Sequence, residues 1–583
     1  MSLDDLNRGF RDSYLDHRTL TDQLQSWAEA FPEIARLNSI GKTPEGRDLW
    51  VLTVGRDPDR LRPALWVDGN MHSVEVCGSS VSLAFAEALL RLHLGKASAT
   101  LPAHISSFLK DTLVYILPRM APDGAERVLV DGAYVRSVPR DDRPNQLHPH
   151  WISEDIDGDG LSLVMRVEDP GGEFVASAEV PGLLLPRRLE DPPPFYKVYP
   201  EGRIANFDGS NVPDPHFLSD NQTDLNRNFP WSWAPPHTQV GAGVHPLSEP
   251  ESRAVVEFTS ANPHIYAWVN FHTFGGVFIR PHGSKPDNQM DPSDLALYRQ
   301  LGEWATELTG YPMVSGFEEF TYEPDTPIRG DITDFAYHQR GCVTWACELW
   351  DLFSEIGIER KKRFVDHYTH VTRDELIRLG KWDAEHNKGR VLRPWVPFEH
   401  PQLGAVEIGG IDPRFGMWNP PPERLSEVCD QHVAMLMRTA AIAPRVALDP
   451  PVVTEVSPGV WSVELTVRNQ GYLPTNVLSS AKELKHNEPL YAIASAEDCA
   501  LADPAQAHRE IGHLEGWGRG LYGDAGAIYF MRSKGTVSSQ TLRWVVNGSG
   551  TLHITVKSCR TGEVGLTVDI HRGLGQALGP GLG

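Results

Sequence analysis

Four short apolar runs constrain the fold of this chain more than any other feature. They begin at residues 63, 111, 264 and 342 and read PALWVDG, DTLVYILPRM, HIYAWVNFHTF and CVTWACELWD. Stretches with helical apolar spacing separate them, at 81–92, 249–260 and 292–309. Alternating strands and helices predict an α/β fold with a mixed, mostly parallel sheet sandwiched by helices.

The sequence pattern changes near residue 446. Beyond it, short alternating runs broken by Gly and Asn, such as VWSVELTVRNQG and TLHITVKSCRTG, predict an all-β sandwich domain. Its tryptophans at 461, 517 and 544 are expected in the core, with an exposed aromatic binding surface as the alternative. We expect four segments, namely an α/β domain over 1–385 with a Pro-, Gly- and Asp-rich insertion at 141–223, a helical linker region over 386–445, the sandwich over 446–575, and a disordered tail over 576–583.

Bulk composition argues against several classes of partner. The 583 residues carry a net charge of -23, which disfavours binding to a nucleic-acid backbone. No stretch has the length and apolarity of a membrane span, and the first residues lack a basic and apolar leader. The six cysteines form no CxxC pair, which is typical of buried thiols in a reducing compartment. We expect a cytoplasmic protein without nucleic-acid or membrane partners, and the sequence predicts no oligomeric state.

A candidate metal site begins on the turn between the first apolar run and the next helix. His72 is the only one of the 23 histidines with Glu at the third following position, here Glu75. A hydrolytic zinc site needs three His or carboxylate ligands and one open position for water. His272 closes the third apolar run and is the expected third ligand. Glu348 is a charged residue within the fourth run, where burial is costly unless the group is paired or functional, so we expect it to act as a general base.

An ordered set of motifs extends this pattern. GKTPEGRDLW, HSVE, APDGAE, YVRS, DLNRNFPW, SEPES, FHTFGG and YHQRGCVTWACEL occur in this order between residues 15 and 385. In this order they resemble the zinc metallocarboxypeptidase family of the carboxypeptidase A type. The resemblance implies a carboxypeptidase-like fold, one zinc ion and a peptide substrate with a free C-terminus. In it, His72, Glu75 and His272 match the zinc ligands and Glu348 matches the general base.

The resemblance also implies residues that bind the substrate. Arg136, in YVRS, matches the arginine that stabilises the oxyanion at the scissile carbonyl, and Arg140 and Arg143 lie close enough in sequence to be alternatives. Asn226 and Arg227, in DLNRNF, match the pair that holds the α-carboxylate of the substrate. A planar guanidinium suits this second task because it can bind a carboxylate through two parallel hydrogen bonds.

This sequence departs from the family pattern at two places. The tyrosine that covers the end of the substrate has no match at its usual position, which holds Thr326, so we assign its role to Tyr322. The stretch GDITDF matches the specificity pocket, with Asp331 and Thr333 as candidates. An acid at 331 would favour a basic C-terminal side chain, although a role in a turn or helix cap is the alternative.

A separate acidic motif lies in the insertion. Asp155, Asp157 and Asp159 are followed by Gly160, as in a calcium-binding loop. Position twelve is Arg166, where an EF-hand requires a bidentate glutamate. A calcium ion and a solvated acidic turn are both compatible with this loop.

Together these features predict a zinc-dependent carboxypeptidase that hydrolyses the C-terminal peptide bond with zinc-activated water and a glutamate base. Two alternatives stay open. One is a related zinc amidase or deacylase that acts on a cell-wall peptide or an acyl-amino acid, and Asn226 and Arg227 argue against it. The other is a catalytically inactive peptide-binding protein, and Glu348 argues against that, because a binder needs no general base.

Overall fold

The computed structural model describes residues 2–98, 100–141, 146–214, 223–322, 326–521 and 533–571. The predicted disordered tail at 576–583 lies outside these residues. No helix among the described residues is both long and apolar enough to cross a membrane.

The elements are numbered in chain order. The strands are β1 Ala35–Lys42, β2 Asp48–Val54, β3 Ala64–Gly69, β4 Leu113–Leu117, β5 His150–Ser153, β6 Val164–Glu168, β7 Phe174–Ala176, β8 Leu184–Pro186, β9 Phe195–Pro200, β10 Gly202–Ala205, β11 Ile265–Thr273, β12 Val277–Arg280, β13 Met313–Ser315, β14 Val343–Leu349, β15 Leu392–His400, β16 Gly404–Ile411, β17 Val446–Leu448, β18 Val452–Ser457, β19 Val460–Asn469, β20 Leu490–Glu497, β21 Ala500–Leu501, β22 His508–Gly512, β23 Ser539–Asn547, β24 Gly550–Ser558 and β25 Gly562–Ile570. The α-helices are α1 His17–Ala30, α2 Cys77–His93, α3 Ala103–Leu109, α4 Pro122–Leu129, α5 Pro250–Ala261, α6 Pro292–Thr309, α7 Gly316–Glu319, α8 Ile332–His338, α9 Leu352–Glu355, α10 Asp366–Thr369, α11 Arg373–His386 and α12 Pro422–Ala441.

The main sheet has eight strands in the order β1-β2-β4-β3-β11-β14-β12-β13. Its four central strands, β4, β3, β11 and β14, are parallel and contain the four apolar runs. Their carboxyl ends therefore meet at one edge of the sheet, where ligand sites of open α/β sheets lie. His272 and Glu348 lie near the ends of β11 and β14, and His72 and Glu75 follow the end of β3.

Helices cover both faces of this sheet, as the alternating side chains of β3 show. Leu65 and Val67 pack into one core together with residues of α2 and α12. Ala64 and Trp66 point the other way, into a second core with residues of α5 and α8. A strand that is apolar on both faces needs cover on both sides, which the three-layer arrangement supplies. The predicted α/β class is confirmed.

The segment at 386–445 differs from the predicted helical linker. It contains α12, but also the hairpin β15–β16, which pairs through β16 with β6 of the insertion. The six-stranded sheet that results has the order β15-β16-β6-β9-β7-β8. Pro394 and Pro397 weaken the strand signal of β15 in the sequence. They are tolerated because β15 is an edge strand, where some N–H groups have no ladder partner.

The last part of the chain forms two antiparallel sheets packed face to face. One has the order β17-β19-β23-β21, with β18 also paired to β19, and the other has the order β22-β20-β24-β25. Trp461 and Trp544 are buried in the core between them, whereas Trp517 is exposed. The structure thus has the all-β second unit that the sequence pattern predicts.

A buried arginine joins this β unit to the α/β unit. Arg560, in the turn between β24 and β25, is 1% exposed. Its guanidinium donates hydrogen bonds to the carbonyl oxygens of Pro263 at 2.9 Å and Ile265 at 2.5 Å, and to those of Arg340 and Gly341. A buried charge needs such partners. Because Arg560 lies in the β unit and the four carbonyl groups lie in the α/β unit, these hydrogen bonds hold the two units together.

Replacing Arg560 should therefore weaken the whole chain. We expect Arg560→Ala to lower the stability by about 2 kcal/mol or more, because several buried carbonyl groups lose their donor. The measurement is the midpoint of thermal unfolding of the full-length protein. The matched control is Arg543→Ala, on the same β unit, whose side chain is 59% exposed and should contribute little. Equal midpoints for the two variants would contradict the role of Arg560.

Candidate active site

The turn after β3 brings the backbone of the sheet and of α2 close together. A Cβ atom on Gly69 would lie 2.7 Å from the backbone of Gly78, so only glycine fits there without a shift. Asn70, with a positive φ of 56°, donates from Nδ2 to the carbonyl oxygens of His72 and Ser73 at 2.8 and 3.0 Å. These contacts fix the turn that carries His72 and Glu75.

Three predicted ligands converge at the carboxyl edge of the sheet. The Nδ1 atoms of His72 and His272 lie 3.0 Å apart. The Glu75 carboxylate lies 2.8 Å from His72 Nδ1 through Oε1 and 3.0 Å from His272 Nδ1 through Oε2. All three side chains are at most 3% exposed. The structure brings the three residues together, although His272 is about 200 positions from the other two in the sequence.

This geometry fits a divalent metal ion. Two imidazole nitrogens and one carboxylate are a donor set that zinc accepts while one coordination position stays open. Metal–ligand distances near 2.0–2.2 Å would place the ligand atoms roughly 3 Å apart, as they are here. Among the described residues this triad is one of three groups that could hold a metal, and it is the most deeply buried.

A further carboxylate orients one of the ligands. Asp224 accepts a hydrogen bond at 3.0 Å from Nε2 of His72, which leaves Nδ1 of that ring free to act as a ligand. Burial opposes ionisation, but the charges of His72 and Arg136 hold the pKa of Asp224 well below its ordinary value. Asp224 is the first residue of the DLNRNF motif, but no role for it was predicted from the sequence.

Glu348 lies beside the triad because of strand register. It is paired with His272 across the parallel strands β11 and β14. Burial, together with the charge of Glu75, raises the pKa of Glu348 well above its ordinary value, against the opposing effect of Arg136. Raised carboxyl pKa values are typical of groups that exchange protons in catalysis.

Arg136 lies on the other side of Glu75. Its Nη1 donates to Oε1 of Glu75 at 2.9 Å, and its Nη2 lies 3.5 Å from Oδ2 of Asp224. Burial alone would lower the pKa of Arg136, but the charges of Asp224 and Glu75 raise it, so the guanidinium stays protonated. Arg140, one of the alternatives for this position, pairs instead with Glu249 and Glu251.

The predicted substrate residues line one cavity of about 120 Å³ together with the catalytic candidates. Its lining includes His72, Arg136, Asn226, Arg227, His272, Tyr322, Asp331, Thr333 and Glu348. Tyr322 is 50% exposed. Two members of the metal triad, His72 and His272, therefore line the same cavity as the polar residues predicted to bind the substrate.

The side chain of Asp331 caps a helix with one of its two carboxylate oxygens. Oδ1 accepts a hydrogen bond at 2.8 Å from the backbone N–H of Asp334 and so caps α8. Oδ2 has no hydrogen-bond partner within the described part of the chain, although the residue is buried. The backbone N–H of Ile332 donates to Oδ1 of Asn226 at 2.9 Å, which ties this loop to the predicted clamp. The cap is therefore observed, whereas the pocket role of Asp331 stays a prediction.

The acidic loop of the insertion does not support a calcium site. Asp155 accepts hydrogen bonds from the backbone N–H groups of Gly158 and Gly160, at 2.7 and 2.9 Å. Asp157 and Asp159 each accept one from the backbone N–H two residues further on. These carboxylates are already bound to amides of their own loop, as in a solvated acidic turn.

A third group, which the sequence analysis missed, lies near the pocket. The rings of His282 and His338 approach to 2.9 Å between Nδ1 and Nε2, and Asp334 accepts a hydrogen bond from the N–H of Gly283. Burial lowers the pKa of His282 to about 4 and that of His338 to about 3. Unlike in the triad, no hydrogen bond between carboxylate and ring is found among these described residues, so the triad is the better metal site.

Comparisons with known proteins agree with this geometry. The sequence profile of the family described as zinc carboxypeptidase matches residues 20–145 and 210–358. A profile described as a domain of unknown function matches residues 445–569. Mouse carboxypeptidase M is 34% identical over 114 residues, which are 19% of this chain and 24% of that protein. Mouse carboxypeptidase A4 is 23% identical over 348 residues, which are 60% of this chain and 64% of that protein.

Among solved structures, carboxypeptidase A from Helicoverpa armigera matches with a TM-score of 0.40 and 14% identity, over 74% of each chain. The first curated relatives are spanned only in small part, 24% of mouse carboxypeptidase M and 7% of mouse carboxypeptidase D. The family profile covers the α/β unit on both sides of the insertion, including all three residues of the metal triad and Glu348. The residues that this profile matches in the α/β unit belong to the zinc carboxypeptidase family.

Proposed function

We propose that this protein is a zinc-dependent carboxypeptidase that removes the C-terminal residue of peptides. The observation that carries the proposal is the metal triad, whose two histidines line the same cavity as Glu348, Arg136 and the Asn226–Arg227 pair. His72, Glu75 and His272 would hold the ion. Zinc bound there supplies Lewis-acid polarisation and lowers the pKa of water.

Glu348 is the proposed general base. Its carboxylate accepts a proton from the attacking water and then delivers it to the nitrogen of the leaving amine. A raised pKa suits both steps, because the group must hold the proton between them. The guanidinium of Arg136 remains charged and places donors near the triad, where negative charge develops on the carbonyl oxygen.

Asn226 and Arg227 are the proposed clamp for the free α-carboxylate of the substrate. The side chain of Arg227 is half-buried at the cavity, and its Nη1 donates to the carbonyl oxygen of Asn226 at 2.7 Å. The remaining donors of the guanidinium are available to a carboxylate. This contact would make the enzyme an exopeptidase, since an internal peptide bond carries no charge to bind.

Asp331 is the proposed determinant of the C-terminal side chain. Among the described residues its Oδ2 has no hydrogen-bond partner, it is buried at the same cavity, and burial raises the pKa of the Asp331 carboxyl against the effect of Arg227. A lysine or arginine side chain would bring a charged hydrogen-bond donor to this oxygen. We therefore propose a preference for basic C-terminal residues, with Thr333 as a neighbouring polar contact and Tyr322 as a group that covers the bound residue.

Removal of the base tests the reaction. We expect Glu348→Gln to reduce peptide release by about 100-fold or more, because general base catalysis is lost. Zinc content should stay at one ion per chain. A chelator should abolish release by the wild type, and C-terminally amidated versions of the same peptides should be poor substrates. Release that survives both the substitution and the chelator would refute the proposed function.

Specificity tests the pocket. Asp331→Asn keeps the side-chain oxygen that caps α8 but removes the charge. We expect kcat/KM for peptides ending in Lys or Arg to fall by about tenfold or more. The internal control is a peptide ending in Leu, for which the variant should match the wild type. A parallel fall for both substrates would mean that Asp331 only supports the fold.

The affinity for zinc tests the role of Asp224, whose carboxylate is hydrogen-bonded to His72. We expect Asp224→Asn to weaken zinc binding by about 10- to 100-fold, because the ring loses the acceptor that orients it. Competition with a chromogenic chelator measures this affinity. Asp208→Asn, at an exposed aspartate of the insertion, is the control. Equal zinc affinity for the two variants would contradict the role of Asp224.

A further inference from the structure

We propose that Trp418 forms a binding subsite for the substrate residue on the amino side of the scissile bond. The subsite selects peptides with a large apolar side chain at that position. The inference rests on the proposed carboxypeptidase function and adds a determinant of its substrate class.

Trp418 comes from outside the family-matched part of the chain. It lies in the loop at 412–419, between β16 and α12, whereas the zinc carboxypeptidase profile ends at residue 358. Its side chain nevertheless lines the same cavity as Arg136, His272 and Glu348. The segment at 386–445 therefore contributes one wall of the candidate active site.

The loop that carries Trp418 is anchored to the metal-binding region. Asn419 is fully buried; it accepts a hydrogen bond from the N–H of Cys77 at 2.9 Å and donates one to the carbonyl oxygen of Val74 at 2.7 Å. Both contacts lie on the turn that bears Glu75. The loop is thus fixed relative to the metal triad, and the indole is held in place before a substrate arrives.

Further bonds fix the loop from two other directions. Arg414 donates to the carbonyl oxygen of Val128 in α4 at 2.9 Å and is paired with Asp412 at 2.9 Å. The indole N–H of Trp350, just after β14, donates to the carbonyl oxygen of Gly416 at 3.1 Å. A loop held at three places is suited to present a rigid side chain.

The indole belongs to a small aromatic wall beside Arg136. The ring of Trp418 packs edge-on against Phe274 at 5.3 Å and lies 5.8 Å from Tyr134. The guanidinium of Arg136 lies 5.9 Å from the centre of the indole. Trp418 and Phe274 are half-buried and both line the cavity, so apolar surface of these two rings stays open to it.

This position indicates which substrate residue the wall contacts. The carboxylate clamp and Asp331 lie together, joined by the bond between Ile332 and Asn226, and would hold the C-terminal residue. Trp418 and its ring neighbours lie instead beside Arg136. In the proposed reaction Arg136 faces the scissile carbonyl. The residue beyond that carbonyl is the penultimate one, and a flat indole face favours an apolar side chain there.

The test uses full-length protein and blocked peptides that share one C-terminal residue, the one that the wild type releases fastest. The penultimate residue is Gly, Leu or Phe. We expect the wild type to favour Phe over Gly by about tenfold or more in kcat/KM. Trp418→Ala should reduce this preference to less than about threefold, because kcat/KM should fall more for the Phe peptide than for the Gly peptide. Trp418→Phe should keep most of the preference.

Trp517→Ala, at a 62% exposed tryptophan, is the matched control and should behave as the wild type. Zinc content and the thermal midpoint show whether each variant is folded. If Trp418→Ala does not fold, Trp418→Phe still tests the subsite. An equal loss on all three peptides, or an unchanged preference, would overturn the subsite. A metal-loaded wild type that releases nothing would instead overturn the proposed function.

Discussion

The site depends on the parallel register of three neighbouring strands. β3, β11 and β14 end at one edge of the sheet, and the pairing of His272 with Glu348 places the third metal ligand beside the proposed base. A shift by one residue would turn both side chains to the opposite face of the sheet. The buried carboxylate of Asp68 helps to fix the register, since it accepts hydrogen bonds from the indole N–H groups of Trp66 and Trp268 at 2.6 and 2.8 Å.

The additional segments of the chain are built onto this sheet. The hairpin β15–β16 joins the insertion in one sheet, and the loop that follows it holds the turn of the metal triad through Asn419. Arg560 anchors the β unit to the carbonyl groups of Pro263 and Ile265, next to the start of β11. The parts of the chain beyond the family-matched residues therefore contact the strands and turns that carry the site.

Much of this could be predicted from the sequence because its signals are local. The apolar runs have the length and composition of buried strands, and His72, Glu75, His272 and Glu348 follow or end them. The family resemblance added Asn226 and Arg227, which the structure brings into the same cavity. Their roles stay predictions, but their convergence is a property of the fold.

The remaining features depend on contacts between distant parts of the chain. The strand β15 was missed because its two prolines mask the alternation, and only its edge position explains why they are tolerated. Trp418 carries no local signal at all, since its significance comes from a loop that folds back onto the turn of His72. The sequence allowed Asp331 to be a helix cap or a pocket acid; the structure shows the cap through Oδ1, and the pocket role of Oδ2 stays a prediction.

The most direct test of the account is an anomalous diffraction experiment at the zinc absorption edge on crystals of the full-length protein. We predict a single strong peak at bonding distance, about 2.0–2.2 Å, from Nδ1 of both His72 and His272 and from the carboxylate of Glu75. A peak held only by His282 and His338, or none near the three residues in zinc-loaded protein, would contradict it.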